Sequence, residues 1–209
     1  MKNIIKDIER SKGTIGVVLA GGRSSRMGED KALLKIEATS MIDRTANTLR
    51  ATSVCKVVIS RNDNTTKHMA DIIPDKGPLS GIHSIATRFP QYNLIVLPVD
   101  LPLMDACTVQ ELIDVGLKTS KNAKFKGHNL PLFIQNTPSF RQVIDYTLKC
   151  TNCFSVERLC LHFPVLELIN KKNSSMFNTN TPAQWRFAMQ HFDIGTSFGK
   201  KESISESFK

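Results

Sequence analysis

A short string rich in glycine and in cations carries the clearest chemical signal in this sequence: LAGGRSSRMGEDK, which begins at Leu19. Glycine has no side chain and tolerates positive φ, so Gly21–Gly22 allows the backbone to turn sharply and to approach a ligand closely. The amide groups of such a turn can bind phosphate oxygens. Arg23, Arg26 and Lys31 add three cations to the same string. We therefore predict that this string binds a nucleoside triphosphate.

Two common nucleotide-binding patterns do not occur in the string. It matches neither G-x-x-x-x-G-K-[ST] of P-loop NTPases nor G-x-G-x-x-G of dinucleotide-binding domains. A lone Gly-Gly pair is more often an ordinary turn between a strand and a helix, with nearby arginines in solvent. The density of phosphate-binding groups over the whole string favours the nucleotide interpretation.

Strands and helices that alternate along the chain position this string. The apolar run at residues 15–19 is typical of a strand buried on both faces of a parallel sheet, and the glycines end it. Further strands are predicted at 56–60 and 93–99, and helices are predicted at 41–52, 82–89 and 105–118. Asp105 is a candidate cap for the last of these helices. The pattern predicts an α/β fold, a Rossmann-like three-layer α/β/α sandwich with a mostly parallel sheet.

The second half of the chain gives weaker signals. Pro78–Ile82 is predicted as a loop that leads into a helix. Leu130–Ile134, which follows a polar and basic segment, is predicted as an edge or antiparallel strand. Helices are predicted at residues 139–148, 155–161 and 182–192, with Thr181 as the cap of the last and Pro182 in its first turn. We predict one domain at residues 13–194, an N-terminal extension at 1–12 and a flexible tail at 195–209.

The overall composition is that of an ordinary folded protein. Of the 209 residues, 41% are hydrophobic and 22% are charged. The net charge of +9 comes from lysines and arginines scattered along the chain, so nucleic-acid binding is not predicted. Residues 1–12 do not resemble a secretion signal, and no apolar run approaches the roughly 20 residues that cross a bilayer. We expect a cytoplasmic protein without a membrane contact.

The five cysteines are an odd number in a chain without a predicted secretion signal, which argues against a disulfide framework. Free thiols are the simplest interpretation. Cys150, Cys153, Cys160 and His162 leave a zinc site open as an alternative, because C-x-x-C is a common half-site for that metal. The second half-site, Cys160 and His162, has irregular spacing for a zinc site.

Three more motifs follow the glycine-rich string: GPLSGI at residues 77–82, PVDLP at 98–102 and NTNTP at 178–182. Together the four motifs resemble those of the nucleotidyltransferase family that includes molybdenum cofactor guanylyltransferase. The family patterns are L-A-G-G followed by R-M-G and D-K, then G-P-L-A-G-[IM], V-D-x-P and N-x-N-T-P-E-[ED]. The motifs occur in the family's order, and the resemblance spans residues 16–185.

The resemblance implies transfer of GMP from GTP to the phosphate of molybdopterin, with release of pyrophosphate and assistance by Mg²⁺. GTP and molybdopterin are the implied partners, and we expect a monomer with transient contacts to other cofactor-biosynthesis proteins. Another acceptor stays open, such as a sugar phosphate or a methylerythritol-type alcohol phosphate, as does CTP for the cytosine form of the cofactor. A non-catalytic nucleotide-binding regulator is a further alternative, although it would not need both Lys31 and Asp100.

The resemblance also implies roles for single residues. Asp100 is the implied magnesium ligand, and Lys31, Asp100 and Arg26 are the implied catalytic residues. Asp75 is implied to lie near the guanosine. The implied nucleotide-binding residues are Leu19, Ala20, Gly21, Gly22, Arg23, Lys31, Ser60, Asp75, Gly81, Asp100, Asn178 and Asn180. Ligand-binding groups of an open α/β sheet are expected outside the carboxyl ends of its strands.

Several of these residues also have simpler interpretations. Asp100 could cap the loop that follows it, and Asp75 could pair with the adjacent Lys76 at the surface. Asn178 and Asn180 could be turn formers whose side chains bond their own backbone.

The chain departs from the family pattern in three places. A single residue separates Asp75 from Gly77, so the covering loop is short. Ser60 stands where the family often has asparagine, and the nearby Asn62 is a candidate substitute. The segment LPL at residues 130–132 departs from the family's acceptor-side H-P-[LT], with His128 displaced. The acceptor is therefore the least determined part of the prediction.

Overall fold

The computed structural model describes residues 13–21, 30–63 and 65–190. Its strands are β1 (Thr14–Leu19), β2 (Lys35–Ile36), β3 (Thr39–Ser40), β4 (Lys56–Ser60), β5 (Asn93–Pro98), β6 (Asn122–Phe125), β7 (Leu132–Ile134) and β8 (Val165–Leu168). Its helices are α1 (Met41–Arg50), α2 (Pro78–Arg88), α3 (Ala106–Thr119), α4 (Pro138–Cys150), α5 (Val156–Cys160) and α6 at residues 182–190. Short 3-10 helices occur at Lys31–Leu33 and Asn173–Met176. Six of the strands form one sheet in the order β4-β1-β5-β7-β6-β8, and β2 pairs with β3.

Helices cover both faces of the six-stranded sheet. β1 is buried along its whole length and pairs in parallel with β4 on one side and β5 on the other. Ile82 of α2 and Phe140 of α4 belong to the core on one face, while Leu49 of α1 and Leu112 of α3 belong to the core on the other. A parallel strand made almost entirely of apolar residues must be covered on both faces. The predicted three-layer α/β sandwich is confirmed.

The second half of the sheet departs from parallel order. β7 runs antiparallel to β5 and to β6, and β6 runs parallel to β8. The predicted antiparallel strand is confirmed, but β7 lies between two strands and does not form an edge. β6 lies within the segment interpreted as polar and basic, and its Asn122 is nevertheless buried. The Asn122 side chain accepts a hydrogen bond from the amide of Gln135, 2.8 Å away, so its polarity is satisfied inside the fold.

The start of α2 corrects one prediction. The segment Pro78–Ile82, predicted as a loop, forms the first turn of this helix. Proline suits the first helical position, because its missing amide proton has no partner there and its φ is already helical. Gly77 precedes it with φ of 62°, a left-handed conformation that glycine adopts at little cost. The Pro and Gly signals thus mark the beginning of a helix.

Two predicted helix caps are confirmed. The amide of Thr108 donates to the Asp105 carboxylate at 2.9 Å at the start of α3. The amide of Gln184 donates to the Thr181 hydroxyl at 3.2 Å at the start of α6. Residues 1–12 and 191–209 lie outside the described residues, so the extension, the tail and the end of α6 stay predictions.

The cysteines of the C-terminal half do not assemble a metal site. All five cysteines are free, and no group of three His, Cys, Asp or Glu side chains in the described ranges could hold a metal ion. The zinc alternative for Cys150, Cys153, Cys160 and His162 is therefore wrong, because the fold does not bring enough of their side chains together. No helix within the described ranges is long and apolar enough to span a membrane.

Candidate active site

The carboxyl ends of three parallel strands meet at one edge of the sheet. Leu19, the last residue of β1, is in register with Ser60 of β4 and with Pro98 of β5. The backbone stays paired just beyond the strands: Ala20 donates to the Ser60 carbonyl at 3.0 Å, and Val99 donates to the Leu19 carbonyl at 3.3 Å. The three segments that follow these strands therefore start side by side. They are the glycine-rich string after β1, the segment after β4, and the segment after β5 that contains Asp100.

Two clefts adjoin one another over this edge. The strand-edge cleft has a volume of about 540 Å³, and its lining includes Leu19, Ala20, Gly21, Asp30, Ser60, Arg61, Asn62, Asp71, Asp75, Gly77, Pro78 and Gly81. The Asp100 cleft has a volume of about 290 Å³, and its lining includes Leu19, Ala20, Gly21, Asp30, Lys31, Pro78, Val99, Asp100 and Leu130. The two share the end of β1, Asp30 and Pro78. Together they have the size of a site for a small molecule such as a nucleotide.

The N-terminus of α2 forms the far wall of the strand-edge cleft. Asp75 is exposed and has φ of 63°, and Gly77 has φ of 62°, so the backbone turns tightly before the helix. The amide groups of a helix N-terminus attract anions. Ala20 and Gly21 line the same cleft as Gly77 and Pro78 of this wall.

Gly81, one turn into α2, allows the helix to lie close to the sheet edge. A Cβ atom at this position would lie 2.4 Å from the Ser60 hydroxyl and 2.9 Å from Cδ2 of Leu19. Ser60 is itself 3% exposed. The glycine is therefore required by the close approach of α2 to the ends of β1 and β4.

Asp100 has an unusual environment for a carboxylate. Its Oδ1 atom is buried and has no hydrogen-bond partner among the described residues. Burial raises the pKa of Asp100 above the usual 3.8, although the positive charge of Lys31 and a hydrogen bond with Asn178 lower it in part. A buried carboxylate oxygen without a partner costs free energy unless a ligand or an ion binds it.

The NTNTP motif folds back against Asp100 and Lys31. The amide and the hydroxyl of Thr179 donate to the Asp100 carbonyl, at 3.0 and 3.2 Å. The Lys31 ammonium group donates to Oδ1 of Asn180 at 2.6 Å. Asn178 is hydrogen-bonded to the Asp100 side chain. Residues distant in the sequence thus converge on one carboxylate and one lysine.

Comparison with known proteins identifies the family to which this chain belongs. The model of the MobA-like NTP transferase domain matches residues 16–143, which include most of β1, the lining of the strand-edge cleft and Asp100. The chain belongs to the MobA-like NTP transferase family. A molybdenum cofactor guanylyltransferase from Xanthomonas euvesicatoria pv. vesicatoria is 33% identical over 174 residues, which are 81% of this chain and 91% of the relative. A probable molybdenum cofactor guanylyltransferase from Pelotomaculum thermopropionicum is 28% identical over 185 residues, 80% of this chain and 88% of the relative.

Solved structures support the fold of this MobA-like NTP transferase. The molybdopterin-guanine dinucleotide biosynthesis protein A from Archaeoglobus fulgidus superposes with a TM-score of 0.72 at 17% identity, covering 86% of this chain and 98% of that one. The 2-C-methyl-D-erythritol 4-phosphate cytidylyltransferase from Thermus thermophilus superposes with a TM-score of 0.61 at 12% identity, covering 85% and 98%. At such identities the likeness shows the fold alone.

Most of the residues predicted for the site come together in this MobA-like NTP transferase. The two clefts contain Leu19, Ala20, Gly21, Lys31, Ser60, Asp75, Gly81 and Asp100. Asn178 and Asn180 reach the same place through their bonds to Asp100 and Lys31. Gly22, Arg23 and Arg26 lie outside the described residues. Asn62, the candidate substitute for the family asparagine, lines the strand-edge cleft and bonds Asp71 at 2.7 Å.

Sequence reasoning missed Arg61, which lies directly after β4 on the sheet edge. Its side chain is 14% exposed and bonds Asp30, Asp63 and the Ala20 carbonyl. A cation immediately after a strand that ends beside the glycine-rich string was the available signal.

A third pocket adjoins Asn178 on the C-terminal side of the site. This C-terminal pocket has a volume of about 560 Å³, and its lining includes Lys126, His128, Ile169, Asn170, Met176, Phe177, Asn178 and Gln184. Its walls combine apolar side chains with a lysine and a histidine. Lys126 directly follows β6, and Phe177 follows the 3-10 helix Asn173–Met176. Neither residue was predicted, because β6 and its partner β8 gave no strand signal in the sequence.

Proposed function

We propose that this protein transfers GMP from GTP to the phosphate of molybdopterin and releases pyrophosphate, as a step in the formation of molybdopterin guanine dinucleotide. One observation carries the proposal furthest: a buried carboxylate oxygen of Asp100 without a partner lies beside Lys31 at the end of β5. Family relatives named as molybdenum cofactor guanylyltransferases support the choice of nucleotide and acceptor.

In this proposal GTP occupies the two adjoining clefts. Its phosphates lie along the backbone of Leu19, Ala20 and Gly21, opposite the N-terminus of α2, where amide groups favour negative charge. Its guanosine lies toward Asp75, at the outer end of the strand-edge cleft. The triphosphate then passes Lys31 on the way to Asp100.

Asp100 is the residue that holds the magnesium ion in this proposal. Mg²⁺ prefers carboxylate oxygens, and it is often bound through one or two carboxylates with substrate phosphates and water as its other ligands. The buried, unpartnered Oδ1 atom of Asp100 fits such a role. When bound, the ion neutralises negative charge on the triphosphate.

Lys31 supplies the positive charge at the reacting phosphate. The acceptor phosphate attacks the α-phosphorus in line, a new P–O bond forms, and the bond to the pyrophosphate oxygen breaks. The attacking group is already anionic, so the reaction needs no strong general base. Asn180 holds the Lys31 ammonium at 2.6 Å, which orients it before the substrate arrives.

The C-terminal pocket receives the acceptor in this proposal. It shares Asn178 with the surroundings of Asp100, so an acceptor bound there has its phosphate next to the nucleotide. Phe177 and Met176 suit a flat pterin ring, and Lys126 and His128 suit an anionic group. The proposal therefore divides the site into a nucleotide side and an acceptor side.

Pyrophosphate release tests the proposal directly. Each of the four ribonucleoside triphosphates is mixed with the protein and Mg²⁺, with and without molybdopterin or its molybdate form. We expect release from GTP only when the acceptor is present. A preference for CTP would show that the nucleotide substrate is CTP and not GTP. Release that requires a different phosphate acceptor would show that the acceptor is not molybdopterin. Tight nucleotide binding without release under any condition would indicate a regulator.

A further inference from the structure

Arg61 connects parts of the site that are far apart in the sequence. Nη1 donates to the Ala20 carbonyl at 3.1 Å, at the end of β1. Nη2 donates to Oδ2 of Asp30 at 2.5 Å, and Nε donates to Oδ2 of Asp63 at 2.8 Å. All three nitrogens of one planar guanidinium group are therefore engaged by protein oxygens. A lysine could not reproduce this geometry, because its ammonium is a single point.

Asp30 connects Arg61 to the short helix that begins with Lys31. Its Oδ1 atom accepts a hydrogen bond from the amide of Ala32 at 3.0 Å and so caps the short helix Lys31–Leu33. Its Oδ2 atom is the one that Arg61 binds. A single carboxylate therefore holds the backbone amide of Ala32, the residue next to Lys31, on one side and the guanidinium of Arg61 on the other.

The opposite side of Arg61 is also fixed. Asp63 accepts from Arg61, and its Oδ2 atom lies 2.7 Å from Nδ1 of His68. Burial raises the pKa of Asp63, but hydrogen bonds from His68 and Thr65 outweigh this effect and lower it to about 2. Asp63 is thus charged throughout the ordinary pH range, and Arg61 always has an anionic partner on this side.

These contacts separate two roles that an arginine in a phosphate-sized cleft could have. A residue that binds substrate phosphate directly needs access to the ligand and donors directed at it. Arg61 lines the strand-edge cleft, but its side chain is only 14% exposed, and three of its five N–H groups, one on each nitrogen, already donate to Ala20, Asp30 or Asp63. The contacts favour a role that operates through other residues.

We infer that Arg61 is a positioning residue: it sets the place of Lys31 relative to the Ala20 backbone through Asp30. The inference rests on the proposed nucleotide transfer, in which both Lys31 and the β1 end contact the triphosphate. Misplacement of a catalytic group by about 1 Å can lower a rate about 100-fold. The hydrogen bonds of Arg61 also affect the affinity for nucleotide, since the groups that they align bind phosphate in the proposed reaction.

A double-mutant cycle with Lys31 tests the inference. Arg61→Gln is made in the wild-type chain and in a Lys31→Ala chain, and kcat and KM are measured for each. We expect Arg61→Gln to lower kcat/KM about 100-fold in the wild type and less than about threefold in Lys31→Ala, because the lysine that it positions is already missing. Equal losses in both backgrounds would overturn the inference, since they would show that Arg61 acts independently of Lys31.

Asp30→Asn serves as the second variant. Asparagine still caps the helix Lys31–Leu33, but it removes the charged partner of Arg61. Its loss of kcat/KM should match that of Arg61→Gln, and the two losses should not add in the double variant. Additive losses would contradict a path through Asp30. Arg61→Lys, which keeps the charge but not the three bonds, should restore only part of the rate; full restoration would also contradict the inference.

A measurement without acceptor keeps this test separate from the proposed reaction. The dissociation constant of the tightest-binding of the four nucleoside triphosphates is measured for the same variants. Arg61→Gln should weaken nucleotide binding in the wild type and leave it unchanged in Lys31→Ala. If the wild type binds nucleotide but does not transfer it to molybdopterin, the proposed function fails, and these dissociation constants still decide the role of Arg61. Equal weakening in both backgrounds would overturn it.

Discussion

The two sides of the site are built in different ways. The strand-edge cleft consists of parallel strand ends in register, backbone amides and a helix N-terminus, with Gly81 allowing close packing. The C-terminal pocket consists of side chains around strands that pair in mixed directions. They belong to Lys126, His128, Ile169, Asn170, Met176, Phe177, Asn178 and Gln184. The first construction depends on backbone geometry and suits the phosphates common to all nucleotides. The second construction depends on side-chain identity, so substitutions in it can change which acceptor is bound.

The two sides meet at Asp100 and Lys31. Thr179 binds the Asp100 backbone, and Asn180 binds the Lys31 ammonium, so the NTNTP motif connects the acceptor side to both groups. Changes at this junction should affect turnover most. Changes confined to one side should affect one substrate or the stability of one region.

The largest effect is expected for Asp100→Asn. Asparagine cannot supply the negative charge that a divalent ion needs, so we expect kcat to fall about 1000-fold, the upper end of the effect of removing one preorganised group. Initial rates of pyrophosphate release measure this. Asp114→Asn is the matched control, because Asp114 is an exposed carboxylate on α3, and its rate should stay unchanged. A similar loss in both variants would contradict the assignment.

The same substitution should stabilise the free protein. Because burial raises the pKa of Asp100, its protonated form contributes stability that is present below pH 3.8 and is lost as pH rises through the raised pKa. At neutral pH the charge on this buried carboxylate, whose Oδ1 atom has no hydrogen-bond partner among the described residues, therefore destabilises the fold. We expect Asp100→Asn to raise the free energy of unfolding by about 1 kcal/mol in denaturant titrations without metal. A decrease would show that the carboxylate is needed for folding.

The next largest effect is expected for Lys31→Ala. Loss of this ammonium should lower kcat about 100-fold, the lower end of the range for one preorganised donor. Lys35→Ala is the control, since Lys35 is exposed in β2 and lies outside both clefts. Single-turnover rates compare the two. A loss confined to KM for the nucleotide, with kcat intact, would indicate that Lys31 serves binding alone.

A smaller effect, on stability, should distinguish two glycines of the strand-edge cleft. Gly81→Ala forces a Cβ atom against Ser60 and Leu19, so it should lower the free energy of unfolding by about 1–3 kcal/mol. Gly21→Ala has no described atom within 4 Å of its new Cβ and should change stability by less than about 0.5 kcal/mol. Denaturant unfolding of both variants measures the difference. Equal destabilisation would mean that α2 does not pack as closely as the structure shows.

The smallest effect is expected for the pH dependence of turnover in Asn178→Ala. The hydrogen bond with Asn178 lowers the pKa of Asp100, so its loss should raise that pKa further. Metal binding needs the ionised carboxylate, and the acidic limb of the pH–rate profile should therefore move to higher pH. Asn47→Ala, at an exposed position of α1, should leave the profile unchanged. A shift to lower pH in Asn178→Ala would contradict the proposed contact.

The sequence predicted the proposed nucleotide side better than the proposed acceptor side, for a physical reason. β1, β4 and β5 are continuous or nearly continuous apolar runs, so each strand is visible in its own residues. β6 contains Asn122 and Lys124, whose polar groups are satisfied by Gln135 and Glu167. Those partners become evident only once the chain is folded. The sheet was therefore predictable in its parallel half and not in its mixed half.

The same distinction holds among the site residues. Gly81 and Asp100 belong to local motifs and were predicted, while Arg61 was missed because its partners lie at Ala20, Asp30 and Asp63. The helix start at Pro78 was mistaken for a loop because proline and glycine favour both structures. Short-range patterns identified the motifs, and long-range contacts determined how they are held.

Steady-state kinetics with each substrate varied in turn test the two-sided site most directly. Gly21→Ala alters the nucleotide side, and Lys126→Gln alters the acceptor side, with Lys121→Gln as the exposed control. We expect Gly21→Ala to raise KM for GTP about tenfold and leave KM for molybdopterin unchanged. Lys126→Gln should do the reverse. If Lys126→Gln raises KM for GTP and leaves KM for molybdopterin unchanged, the division of the site is wrong.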